Sequence, residues 1–280
     1  MLSLSQWPVE ARRKIIGVFT DIDDTLTTHG AITSDALQAL ADLKAAGLHV
    51  IPITGRPVGW TAPLAASWPV DAIVVENGAV ALKMAESAVF AENTPQIGTQ
   101  PAYSLPRMLS KLYQQDAIIR ADNLVNMTRI AQQVLAQVPA AVLSRDHAGR
   151  ETDLAFDYKE FEDLPPEAVQ DILAVLKQAG MQTTVSSIHI HGCFGHFDKW
   201  QGACWIIREL FQRDLAQELD RWVFVGDSGN DQAMFQHFTH SVGVANIRRF
   251  EAQLQHLPRY ISQGERGAGF AEVARSLLTV

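Results

Sequence analysis

A chain of 280 residues, 47% apolar and 19% charged, can bury the core of one or two domains and is not a disordered polymer. Its 23 Lys and Arg against 31 Asp and Glu leave a formal net charge of −8, which argues against the global basic footprint of a nucleic-acid binder. No apolar run approaches the roughly 18 residues of a membrane-spanning helix, no apolar stretch precedes Arg12 and Arg13 as a secretory signal would require, and the two cysteines, Cys193 and Cys204, suggest no disulfide framework, so a cytoplasmic protein without membrane or nucleic-acid partners is expected.

Residues 14–20 form an apolar run rich in β-branched side chains, as suits a strand buried on both faces of a parallel sheet. Residues 34–46 place Ala36, Leu40 and Leu43 on one helical face, with Leu37 beside them and Gly47 behind as a stop. Residues 48–53 are strand-like, 57–68 carry Trp60, Leu64 and Trp68 at helical spacing, and 70–75 are strand-like again. The rhythm then breaks. Residues 84–104 are rich in Ala, Pro, Thr and Gln without a long periodic run. Helices are predicted at 106–114 and 126–138, and a half-buried antiparallel strand at 151–158. A helix with two prolines at its start and Gly180 at its end is predicted over 165–180, followed by a second alternating stretch at 183–191. The first rhythm returns with a helix at 201–212, a strand at 222–225, a helix at 231–238, a strand at 241–245 and a helix at 268–278. The pattern predicts an α/β protein: a Rossmann-like, doubly wound parallel sheet core at 1–83 and 193–280, with an α+β domain inserted at 84–192.

Four short motifs stand at or near predicted strand ends, where open parallel sheets bind ligands. After the first strand comes Asp21-Ile22-Asp23-Asp24-Thr25. Two carboxylates one residue apart can divide labour, one attacking phosphorus and the other protonating a leaving group and then activating water. A solvated acidic turn or a non-catalytic cation site would look the same in isolation. After the second strand comes Ile53-Thr54-Gly55-Arg56, where the Thr54 hydroxyl could donate to a phosphoryl oxygen or merely cap a helix. Asp198-Lys199 supplies an ammonium suited to phosphate, though a lone lysine is ordinarily a surface residue. Val225-Gly226-Asp227-Ser228-Gly229-Asn230-Asp231 offers hard oxygens of the kind Mg²⁺ takes, or a simple helix cap. His189 and His191 face one side of a strand and could bind a metal, face a substrate, or pack.

In this order, the four motifs resemble those of the haloacid dehalogenase superfamily of phosphatases, from Asp21 to Asp231. The resemblance implies that Asp21 is the nucleophile that becomes phosphorylated, and that Asp23 is the general acid/base with its carbonyl on Mg²⁺. It further implies that Thr54 holds the phosphoryl group, that Lys199 neutralises charge, and that Asp227 ligates Mg²⁺; Gly55 and Arg56 beside Thr54 are candidates for binding the substrate, with Arg56 alternatively a structural ion-pair partner. Asn230 and Asp231 would complete the metal set or position Lys199. The inserted domain resembles the subclass IIB cap of sucrose-phosphate, trehalose-phosphate and mannosyl-3-phosphoglycerate phosphatases. Glu76-Asn77-Gly78-Ala79 matches that subclass too, which implies that Asn77 lies near the substrate. Lys199 departs from the subclass pattern in being followed by Trp200-Gln201-Gly202 rather than directly by glycine.

The expected activity is Mg²⁺-dependent hydrolysis of a small phosphorylated metabolite, a sugar phosphate. His189, His191, Arg120 and Arg145 of the inserted domain are candidates for reading it. The same aspartate pair would serve a phosphomutase. A non-catalytic ligand sensor on this fold would be expected to lose Asp21, Asp23, Lys199 or Asp227, and all four are present.

Overall fold

The computed structural model describes residues 1–85 and 108–279. Six parallel strands form the central sheet, in the order Leu2–Ser3, Tyr260–Ile261, His240–Gly243, Trp222–Gly226, Gly17–Thr20 and His49–Pro52. A parallel bridge between Ile53 and Val74 extends it to Ile73–Val75. Adjacent residues of each strand point to opposite faces. Val18, Val50 and Val223 join one core, with Leu40 and Leu43 of the helix Ser34–Ala45 and Phe270 and Val273 of the helix Arg266–Leu278. Phe19, Ile51 and Phe224 join the other, with Ile206 and Ile207 of the helix Lys199–Phe211 and Met234 and Phe235 of the helix Gln232–His237. Both faces of the sheet are therefore covered, as the continuous apolar strands require. Among the described residues no helix is long and apolar enough to cross a membrane.

Gly17 pairs with Trp222 across the sheet, and a Cβ on Gly17 would clash with the Trp222 ring. Gly17→Ala is expected to cost about 1–3 kcal/mol, the ordinary penalty of overpacking a core. It should appear as a lower urea midpoint at unchanged slope.

A four-stranded antiparallel sheet, ordered Gln182–Val185, His189–Cys193, Asp153–Asp157 and Val142–Leu143, lies over the strand ends of the central sheet. The helices Ala117–Gln137 and Pro166–Gln178 pack Ile130, Val134, Ile172 and Leu176 against its Leu154, Phe156 and Ile190 in a separate core.

Three local expectations change. The helix expected at 106–114 is instead the strand Leu109–Tyr113, paired antiparallel with Val80–Met84; residues 106 and 107 lie outside the described residues. Leu109, Leu112 and Tyr113 have helical spacing, but so short a run nucleates no helix while a neighbouring strand offers a full ladder. The helix expected at 126–138 begins nine residues earlier, where Asp116 accepts the Ile118 and Ile119 amides as N-cap. Its first turns leave Ile118 and Val125 exposed, which blurs the amphipathic signal. The single stretch expected at 183–191 is two strands joined by a tight turn, in which the Ser186 hydroxyl accepts the amides of Ile188 and His189. From residue 86 onward, the irregular stretch at 84–104 lies outside the described residues.

Candidate active site

The four motif loops meet at one end of the central sheet. Asp21 follows the strand Gly17–Thr20, and its amide donates to the Val225 carbonyl of the neighbouring strand. Lys199 opens the helix Lys199–Phe211 behind the N-cap Asp198, and it is completely buried. Its Nζ donates to Asp21 Oδ1 at 2.5 Å and to Asp231 Oδ1 at 2.7 Å. Asp231 Oδ2 accepts the amides of Asp227 and Ser228, so this side chain holds both the lysine and the loop after Trp222–Gly226. Asn246 Nδ2 bridges Asp227 Oδ2 and the Asp24 carbonyl, while Asp227 Oδ1 is buried without a partner.

The electrostatics of this cluster follow from burial. Burial pushes the Asp21 carboxyl up to about 7, and the charges of Asp231 and Asp23 add to it, against the opposing pull of Lys199. Burial, then the charges of Asp21, Asp231 and Asp24, raises Asp227 well above the ordinary range. Burial disfavours the charge on Lys199, but the two flanking carboxylates outweigh it and raise its pKa. One oxygen each from Asp21, Asp227 and Asp231 lie within 4.8 Å of one another. Three crowded carboxylates, one with an orphaned oxygen, have the donor set of a hard divalent cation. A second candidate group, Asp157, Glu160 and His189, already holds Glu160 between Arg56 and His189, and the guanidinium disfavours a cation there.

Thr54 stands past the strand His49–Pro52 and is completely buried. Its Oγ1 accepts the Arg56 amide at 3.0 Å, which leaves the hydroxyl proton free to donate. Asn77, in a left-handed conformation at φ 52°, accepts a hydrogen bond from Asn230 Nδ2 at 3.3 Å, and Asn230 Oδ1 accepts from Ser228 Oγ. Arg56 is an ion-pair hub. Its Nε donates to both Asp23 oxygens at 3.0 Å, and its Nη atoms donate to Asp146 and Glu160. It also sits 4.7 Å over the Trp60 ring.

His189 and His191 reach the same place from the four-stranded sheet, but they do not share a ligand position. Nε2 of His189 is 2.9 Å from Glu160, and Nδ1 of His191 is 3.0 Å from Asp153. Both rings, the turn at 186–188, and Asp21, Asp23, Thr54 and Asn230 enclose a cavity of about 10 Å³. A larger cavity of about 490 Å³ adjoins it at Asp23 and Arg56, lined further by Trp60, Glu160, Phe161 and Arg266. Arg145 stacks 3.7 Å over Phe161, and Arg120 stacks 3.6 Å over Tyr113.

Sequence reasoning missed the residues that join the two sheets. Glu76 is buried and accepts the amides of Val58, Glu151 and Thr152. Burial, with the Asp153 charge, pushes it up to about 7, against its hydrogen bonds and Arg150. Arg150 donates to the Gly55 carbonyl and to Asp153. Asn246 was also missed. Their roles have no local signal: apart from Asp153, three residues from Arg150, the partners lie far away in the chain or are backbone groups.

Fold and site define an α/β protein whose ligand site lies at the strand ends around a buried carboxylate–lysine cluster. The chain belongs to the haloacid dehalogenase-like hydrolases: that family's model matches residues 18–191, well over half of it. The model of sucrose-6F-phosphate phosphohydrolase matches residues 204–275. No curated protein matches the chain. Among solved structures, the fold is similar to that of Thermoplasma acidophilum 0175, at TM-score 0.66 and 15% identity over 95% of this chain and 99% of that one. It is similar also to the sucrose-phosphatase of Synechocystis sp. PCC6803, at TM-score 0.63 and 16% identity over 95% and 98%. The subclass IIB sugar phosphatase BT4131 matches at TM-score 0.57 and 15% identity over 94% and 97%.

Proposed function

We propose that this chain is a Mg²⁺-dependent phosphatase that hydrolyses a small phosphorylated metabolite, a sugar phosphate, through a phosphoryl group carried on Asp21. The observation that carries this reading is the buried Asp21 beside Lys199 and the orphaned oxygen of Asp227. The parallel-sheet units at 1–83 and 193–280 are the catalytic core. Residues 84–192 are the inserted cap; within them the strand Leu109–Tyr113 pairs with Val80–Met84 on the core side, and the four-stranded sheet that follows borders the site.

The roles follow from the contacts. An Asp21 oxygen attacks phosphorus, the ester bond breaks, and Asp23 gives its proton to the departing oxygen. Asp23 then takes a proton from water as that water displaces Asp21. Lys199 holds Asp21 in place and offsets the charge of the transferring group. Thr54 donates its free hydroxyl proton to a phosphoryl oxygen. Asp21, Asp227 and the Asp23 carbonyl would hold Mg²⁺, with Asp231 and Asn230 fixing the loop around them. The ion supplies charge neutralisation between phosphate and carboxylates. Asn77, Gly55, Arg56, His189 and His191 border the substrate. A screen of phosphorylated metabolites for released inorganic phosphate tests the reading. Release that stops on adding EDTA supports it, and an isomeric phosphate ester in place of free phosphate would replace it with a mutase.

The metal reading has a pH signature. Burial raises the Asp21 carboxyl to about 7 in the folded chain, above its ordinary value of about 4, so its contribution to metal-free stability is full below about pH 4 and is lost as pH rises through about 7. A cation that replaces the protons reverses this loss. Mg²⁺ at 100 times its Kd should raise the melting temperature by on the order of 5 °C at pH 8, and much less at pH 5. A midpoint unmoved by millimolar Mg²⁺ at pH 8 would remove the support for this metal site.

A further inference from the structure

We infer that His191 is a specificity-determining residue: its Nε2 accepts a hydrogen bond from a substrate hydroxyl beside the phosphoester, so the preferred substrate is the phosphate of a vicinal polyol rather than of a bare alcohol or phenol. The inference rests on the phosphatase reading above and adds the chemistry of the leaving group to it.

Three observations carry it. His191 is 97% buried by side-chain and backbone together, exposing only 3%, and its Nε2 has no hydrogen-bond partner although it borders the cavity shared with Asp21, Asp23 and Thr54. A buried polar atom left unpaired is destabilising, and a ligand hydrogen bond at this position would offset that cost. The direction of the missing bond is fixed by the far side of the ring. Nδ1 lies 3.0 Å from Asp153 Oδ2, and Asp153 is held in turn by Arg150 Nη1 at 2.9 and 3.0 Å. A carboxylate so paired only accepts, so Nδ1 carries the proton and Nε2 presents a lone pair. Burial, Arg150, His189 and Lys199 all disfavour a second proton on the ring, against a weaker pull from Asp146. Phosphoryl oxygens are themselves acceptors and cannot satisfy that lone pair; a hydroxyl can.

The position of the ring limits where the hydroxyl lies. A Cβ on Gly55 would meet Nε2 and Cε1 of His191 at 3.0 Å, so the ring edge rests against the backbone beside Thr54. Arg150 fixes this seat by donating to the Gly55 carbonyl at 3.0 Å. A hydroxyl that reaches Nε2 from a phosphoryl group on Asp21 and Thr54 is therefore close to the ester oxygen, on the adjacent carbon.

The test compares sn-glycerol 3-phosphate with 3-hydroxypropyl phosphate, which lacks only the vicinal hydroxyl, and with 3-hydroxy-2-methoxypropyl phosphate, whose vicinal oxygen cannot donate. The wild-type protein should favour the first over both by about tenfold or more in kcat/KM. His191→Phe should bring the ratio to near one. His191→Gln, whose amide oxygen can still accept, should keep part of it. The wild-type series stands alone should a variant fail to fold. Equal rates on glycerol and methoxypropyl esters, or a ratio preserved in His191→Phe while all rates fall together, would overturn the inference. No phosphate release from any of the three, nor from any member of a wider metabolite screen, would instead overturn the phosphatase reading beneath it.

Discussion

Asp21→Asn is expected to lower phosphate release by about 10⁴-fold or more, the scale on which nucleophile replacements act, while the protein stays at least as stable as before. The amide keeps the shape and volume of the carboxyl but cannot carry the phosphoryl group. Its effect on stability has the opposite sign to that of most buried substitutions. Asp21 shares a fully buried corner with Asp227 and Asp231 and only one lysine, so the folded chain holds more negative charge there than it can neutralise. Removing one carboxylate relieves that repulsion, and the Lys199–Asp231 pair remains at 2.7 Å. Turnover measured with Mg²⁺, beside urea unfolding at pH 8, checks both halves. Near-normal turnover would end the nucleophile assignment.

Lys199→Met should do damage on both counts. Turnover should fall by about 10³-fold, since a buried donor facing the transferring group is lost. Stability should fall by about 3–5 kcal/mol, the cost of leaving buried charges without their partner. Lys199 is the cation that holds both Asp21 and Asp231. Without it the carboxylates take up protons in the folded state more readily than in the unfolded chain. The variant should therefore be least stable at high pH and recover as pH falls toward 5, where the unfolded carboxylates begin to protonate as well. Urea midpoints across that range are the measurement. An equal loss at pH 5 and pH 8 would mean that the lysine acts through packing alone.

The central sheet was legible because its strands are buried on both faces and its helices on one, so period and composition agree. The motif loops were legible because their residue types sit immediately behind those strands: Asp21 after Gly17–Thr20, Asp227 after Trp222–Gly226. The contacts between the two sheets were not. Glu76 meets Thr152, and Arg56 meets Glu160, across 76 and 104 residues of chain, and neither pair leaves a periodic or local trace. Arg56 was named as a neighbour of the phosphoryl site, but its three carboxylate partners appear only in three dimensions. The strand Leu109–Tyr113 was misread because Leu109, Leu112 and Tyr113 have helical spacing, and only the pairing with Val80–Met84 makes the segment a strand.

Arg56 also ties the two halves of the site together. One guanidinium grips Asp23 on the core and Asp146 and Glu160 in the loops that follow two strands of the covering sheet. On the proposed reading, every substrate that enters and every product that leaves requires this grip to be released and remade. Lid motions of this kind take microseconds to milliseconds, the range in which ordinary turnover numbers also fall. Were the release of Glu160 by Arg56 slower than the chemistry, a rapid first turnover would be followed by a slower steady state.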